Sequence, residues 1–367
     1  MPEQLTADQQ TLARRAADFA RDELLVRTPS PGSRDEVIKA SKAAGFYTMT
    51  QPVEFGGQAA SALDLTIVRD ELSAHNPPLL DAVFGPGPGV LAGVAEPLAT
   101  HYLKPLLAGE KRAGFGFTEP EDAQRHTWAE LDGDEFVITG GKGYVTGGAD
   151  ADFINTLVDV EGRGKTMIVI DTEATGVTIE QKFASLDGSH HAAFRFDKVR
   201  VPTSHAIGGA GQGLPRAMRQ IGDTRLMFAA QCIGLMRWTL SYLAENLNSI
   251  GRNGKPRGES EVMRLRYADL RIRAYAARSM VYRTARLADR GENIVNEGIA
   301  CKVFATETIG DIVDEAIQLV GGNALILGHP LEALYRRVRS LRLAEGASDI
   351  LRVNLSRGKL DLDMGRI

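Results

Sequence analysis

The chain has 367 residues, a formal net charge of −4, 43% hydrophobic and 25% charged residues. Such a length supports more than one packed subdomain and a large core, and the composition is that of a globular protein, not a disordered one. The acidic balance argues against a nucleic-acid partner, which needs a concentrated basic surface, and no apolar run reaches the ~18 residues of a membrane span.

The start, MPEQLTADQQ, is polar and acidic, so no secretory signal is expected there. Thr6 with Gln9 forms a predicted capping box ahead of TLARRAADFARDELL. The break RTPSPGSR separates this helix from DEVIKASKAAGF, and GPGPGV interrupts the chain again. From about Ala113 to Pro202 the period changes. The runs DEFVITG, DFINTLVDV, KTMIVID and AAFRFDKVRV are short and rich in Val, Ile and Phe, with turn residues Asp132-Gly133, Gly140-Gly141 and Asp187-Gly188 between them. They predict a small antiparallel β-domain.

Helical spacing returns after Gly213. Ile233, Met236, Leu240, Leu243 and Leu247 step by threes and fours, as do Met263, Tyr267, Leu270, Ala274, Ala277 and Val281, and then Ile309, Val313, Ala316 and Val320. Three long helices and a C-terminal one predict a four-helix bundle. The expected class is α+β, divided into a helical domain (1–112), a central β-domain (113–207) and a helical bundle (208–367).

Cys232 and Cys301 fall in helical patterns with no CxxC and no Cys/His spacing, which predicts reduced core thiols, a cytoplasmic protein and no metal site. His190-His191 is the one histidine pair, and neighbours in an extended segment face opposite ways. Neither a G-x-G-x-x-G after a strand nor a P-loop is present. GFGFTEP (Gly114 to Pro120) and GKGYVTGGADADF (Gly141 to Phe153) set hydroxyls and aromatics at β-domain edges, as ordinary strand ends also do. In AIQLVGGNALI the pair Gly321-Gly322 is either a plain helix C-cap or a place where a ligand approaches backbone. In LRLAEGASDILR (Leu341 to Arg352) a carboxylate, Glu345, stands before a glycine in an otherwise apolar turn.

In order along the chain, these segments resemble the acyl-CoA dehydrogenases. That family carries TEP, W-x-T, R-x-x-F-G, Q-x-x-G-G and E-G-T segments. Here they read Thr118-Glu119-Pro120, Tyr144-Val145-Thr146, a degenerate stretch around IGRNGKP, Gln318 to Gly322, and Glu345-Gly346-Ala347. YLKPLLAGEKRAGFGFTEP and EGASDILRVNLSRGKL are the most specific stretches. The resemblance implies the helical–β–helical fold, FAD as cofactor, and oxidation of an acyl-CoA to its α,β-enoyl thioester. Glu345 is then the base that takes the α-proton while flavin N5 takes the β-hydride. A carboxylate held in an apolar slot, its pKa raised, suits that task, and the backbone N–H of the base with a flavin ribityl hydroxyl would polarise the thioester carbonyl.

Other members carry the base on a bundle helix before an arginine, where this chain has Thr224 before Arg225. The resemblance sets Thr224, Arg225 and Gly346 at the substrate. It sets Phe115, Phe117, Thr118, Tyr144, Thr146, Arg252, Gln318, Gly321, Gly322, Ala347 and Asp349 at the cofactor. The chain departs from the family at Ile250, Asn253, Glu261 and Ala347, and lacks the AGSD that follows TEP; Arg252 is the nearby cation for a pyrophosphate. Partners implied are an acyl-CoA or other acyl thioester, an electron-transfer flavoprotein, and further copies of the chain in a dimer of dimers. Two alternatives stay open: a subunit that works beside a related chain, and a flavoenzyme acting on a carrier-protein thioester.

Overall fold

A computed structural model describes residues 4–251 and 254–366. Helix α1 (Ala7–Phe19) opens on the predicted box: the Gln9 N–H donates to Thr6 Oγ1, and the Thr6 N–H donates to Gln9 Oε1. Then come α2 (Ser33–Ala44), α3 (Ala62–Ser73) and the short α4 (Lys104–Ala108). The strands are β1 (Ala113–Gly116), β2 (Trp128–Asp132), β3 (Glu135–Thr146), β4 (Phe153–Val160), β5 (Gly164–Asp171), β6 (Val177–Ala184), β7 (His190–Pro202) and β8 (Ala206–Ile207). Helices α5 (Gly213–Asn248), α6 (Glu261–Asp289), α7 (Val295–Val320), α8 (Pro330–Ser340) and α9 (Ser348–Leu360) complete the chain.

Two compact units result. The helical one comprises Met1–Met49, Ala59–Phe84 and Gly222–Ile367, and the other comprises Thr50–Gln58 and Gly85–Ile221. In the helical unit the predicted phases point inward: Ile233, Met236, Leu243 and Leu247 of α5 pack with Leu270, Ala274, Ala277 and Val281 of α6 and with Ile309, Val313 and Ala316 of α7. Helix α3 serves two cores, Leu63 and Ile67 facing this cluster while Val68 and Leu72 join Phe19, Leu24 and Phe46. Between them Asp70 is fully buried and saturated, by Arg237 Nη1 at 3.0 Å, Arg278 Nε at 2.9 Å and the Tyr282 hydroxyl at 2.9 Å.

Where one C-terminal helix is predicted there are two. The run from Leu341 to Arg352 is broken by consecutive residues with positive φ, Glu345 at 54° and Gly346 at 103°. An α-helix cannot pass through that conformation, so α8 ends and α9 begins anew.

The sheet of the second unit runs β6-β7-β3-β2-β4-β5-β8, with β1 also on β4. Most pairs are antiparallel, as predicted, but β1 and β2 each pair parallel with β4. Phe153, Leu157, Met167 and Val169 face one core, and Ile154, Val158, Ile168 and Ile170 face the other. Burial on both faces explains why β4 and β5 read as nearly continuous apolar runs.

Candidate active site

The helical unit presents Glu345 on the turn between α8 and α9. Arg225 of α5 is nearly buried, and its Nε donates to the Glu345 carbonyl at 3.1 Å. Lys302 of α7 is fully buried, and its Nζ donates to the carbonyls of Gly346 at 2.8 Å and Arg342 at 3.2 Å. A side chain at Gly346 would crowd Leu351, whose Cδ2 lies 3.0 Å from the position of a Cβ. Burial pushes the Glu345 carboxyl above the usual carboxylate range, and the charges of Arg225 and Lys302 pull it back. The slot is therefore not purely apolar. Burial lowers Lys302 to about 8, with the Arg225 charge acting in the same direction. Among the described residues, no group hydrogen-bonds or ion-pairs with the Glu345 carboxylate oxygens. Thr224 directly precedes Arg225 on α5. Ala347 is the N-cap of α9, and Asp349 in its first turn is exposed and paired with Arg352 at 3.1 Å.

Gln318 is exposed in the last turn of α7, which ends at Gly321 with φ 93°. A Cβ at Gly321 or Gly322 would meet nothing within 4 Å. The α7 carbonyls of Leu319 and Val320 are capped by the Arg257 guanidinium, and Gly321 closes the helix, its N–H donating to the Ile317 carbonyl at 2.8 Å and its carbonyl accepting the Ala324 N–H at 2.9 Å. Gln318 is sixteen residues beyond Lys302 on the same helix, about 24 Å at roughly 1.5 Å per residue. The predicted residues of this unit thus fall into two groups that do not meet. Ile250 is 68% exposed, Glu261 begins α6, and Arg252 and Asn253 lie outside the described residues.

The sheet unit gathers the remaining predicted residues. Phe115 and Phe117 stack with centroids 6.0 Å apart and pack against a buried core. Thr118 is exposed, and its carbonyl accepts the Gly143 N–H at 3.0 Å, which ties the TEP segment to β3. Two residues apart on β3, Tyr144 and Thr146 share one exposed face. The Tyr144 hydroxyl donates to Glu121 at 3.4 Å, and Thr146 Oγ1 lies 3.2 Å from His191 Nδ1.

Two family models match the chain: "Acyl-CoA dehydrogenase, N-terminal domain" over residues 6–110 and "Acyl-CoA dehydrogenase, C-terminal domain" over residues 211–360. The chain belongs to the acyl-CoA dehydrogenase family. It is 26% identical to the 3-(aryl)acrylate reductase of Clostridium sporogenes, over 94% of this chain and 96% of the relative. It is 26% identical to the caffeyl-CoA reductase–Etf complex subunit CarC of Acetobacterium woodii, over 93% and 95%. A crystal structure named "probable acyl CoA dehydrogenase" from Mycobacterium abscessus superposes with a TM-score of 0.85 at 25% identity, covering 96% of this chain and 98% of that one.

An acyl-CoA dehydrogenase binds a flavin, and the β3 edge fits one: a flat exposed ring at Tyr144 and hydroxyls at Thr118 and Thr146 can take its apolar face and its polar rim. Sequence reasoning missed what holds this edge. Lys142 is fully buried and ion-pairs with Glu119 Oε1 at 2.5 Å, while Thr127 Oγ1 donates to Glu119 Oε2 at 2.8 Å. Both Glu119 and Lys142 stand inside the quoted motifs. Their signal was available, because a lysine between glycines in a strand buries only with a partner. Lys302 was missed too, with no comparable cue in its helix.

Proposed function

We propose that this chain is a flavoenzyme oxidising an acyl thioester to its α,β-enoyl form, with Glu345 as the base. The observation that carries this is the α8–α9 turn of a family member, where a carboxylate raised by burial has oxygens that no other group of the described chain occupies. Bound FAD would supply the acceptor for the β-hydride. The chain's own part is to remove the α-proton at Glu345, with Arg225 and Gly346 lining the approach, while Phe115, Phe117, Thr118, Tyr144 and Thr146 seat the flavin ring. Gln318, Gly321, Gly322, Arg252, Ala347 and Asp349 complete the cofactor contacts in this reading. The name of the Clostridium relative supports the same residues running in reverse, Glu345 returning a proton to the α-carbon.

An electron-transfer flavoprotein is the proposed redox partner, a reading supported by the Etf complex named for the Acetobacterium relative. A multi-copy assembly is proposed as well. The ~24 Å along α7 between Lys302 and Gln318 suits cofactor contacts contributed by different copies. The division at 1–112, 113–207 and 208–367 is retained as the functional one.

The test is Glu345→Gln, which keeps size and hydrogen bonding but accepts no proton. Flavin and thioester should both bind, while anaerobic flavin reduction by the thioester falls by about 10²–10⁴-fold. Reduction at the parent rate would remove Glu345 as the base.

A further inference from the structure

The turn that carries Glu345 is held in an unusual way. Its two buried cations do not touch the carboxylate. Arg225 donates to the carbonyl of Glu345 itself, and Lys302 bridges the carbonyls of Arg342 and Gly346. The Arg342 carbonyl also accepts the Ser348 N–H at 3.0 Å, so Lys302 joins the first and last parts of one closed turn. That turn needs holding, because a non-glycine residue at φ 54° is disfavoured on its own. An ammonium with three donors suits the task, reaching two carbonyls from inside the fold.

We propose that Lys302 is a positioning residue for the base: it ties Arg342 to Gly346 and so presents Glu345 with its carboxylate unbonded. This rests on the reading of Glu345 as the α-proton base. A second consequence follows from charge. The charged groups that face Glu345 are Arg225 from α5 and Lys302 from α7. Those that face Lys302 are Arg225 from α5, Glu307 from its own helix, and Glu345, and the titratable but neutral thiol of Cys232 on α5 lies beside it, its pKa pushed up to about 12 by burial. Arg342 is engaged by Glu307 and Asp311. Lys302 thus restrains the upward push that burial exerts on Glu345, and a neutral residue there lets that push act more fully.

The experiment uses the full-length holoprotein and two variants, Lys302→Met and Lys302→Gln, with Glu345→Gln as control. The probe is a saturated acyl-CoA carrying sulfur at the β-position, which can lose an α-proton but has no β-hydride to give. Three quantities are read: α-hydrogen exchange into D2O by NMR, the pH midpoint of that exchange, and amide hydrogen exchange of residues 342–348. Lys302→Met should slow α-exchange at least about tenfold, move its midpoint up by about one pH unit and speed amide exchange in the turn. Lys302→Gln keeps a donor but no charge, so it should move the midpoint equally and loosen the turn less; it also decides the matter should the Met variant not fold. Normal α-exchange, midpoint and amide protection in a folded variant would overturn the proposal. Persistent α-exchange in Glu345→Gln would instead overturn the base assignment, so the two failures are distinguishable.

Discussion

Among the described residues each unit buries one lysine completely, and the two are used in opposite ways. In the sheet unit Lys142 meets a carboxylate, Glu119, which Thr127 also bonds, so that acid is committed to structure. In the helical unit Lys302 meets carbonyls and leaves the nearby carboxylate of Glu345 unbonded. A carboxylate already receiving an ammonium and a hydroxyl has its oxygens engaged within the fold. One surrounded by positive charge that is spent on backbone keeps its oxygens for substrate. What separates the paired acid from the unpaired one here is where the neighbouring N–H groups point, not how buried the acid is.

Stability measurements can break this contrast. Lys142→Met strands Glu119 beside an apolar side chain, and losing one partner of a buried pair costs about 3–5 kcal/mol. Because Glu119 keeps some water access, with 18% of its side chain exposed, a loss near the lower end, about 3 kcal/mol, is expected in urea unfolding. Lys302→Met removes a buried charge along with its bonds, and the net loss should be about 1 kcal/mol, within the range for one unsatisfied acceptor. Equal losses in the two variants would erase the distinction.

The smallest expected effect concerns Glu345 and pH. Its carboxyl is raised in the folded state, so the native protein holds that proton more tightly than the unfolded chain. The resulting stability is complete below about pH 4.5, the ordinary carboxyl value, and is lost as pH rises through the higher native one. At neutral pH the ionised group is a net cost, and Glu345→Gln should melt about 1–3 °C higher than the parent. That gain should vanish near pH 4. A lower melting temperature at pH 7 would mean that the carboxylate offsets Arg225 and Lys302 by more than its own burial costs.

How far these features could be read from the sequence follows from their range. The capping box at Thr6 and Gln9 is local and is found as predicted. The phases of α5, α6 and α7 were legible because they pack as long periodic stripes. Strand β6, an edge strand with no fully buried residue and polar Glu180-Gln181-Lys182 at its centre, and the five-residue β2 offered no continuous apolar run. Glu345 was visible through its glycine neighbour and through the family resemblance. Its two cations were not equally so: Arg225 lay within the resemblance, whereas Lys302 is far away in sequence and its partners are carbonyls, which every residue possesses. Burial of a long polar side chain is decided by what the rest of the chain brings to its tip, and composition does not record that.

The positive φ of Glu345 also bears on where an acid in this turn can point. The side chain leaves the backbone at a kink, so its direction is a property of the turn as much as of the residue type. Shifting the acid by one or two positions, to Ala344 or Ala347, would re-aim it and not merely displace it. The reach of an acid from this turn is therefore set by consecutive positive φ values at Glu345 and Gly346, a shape that no single letter of the sequence encodes.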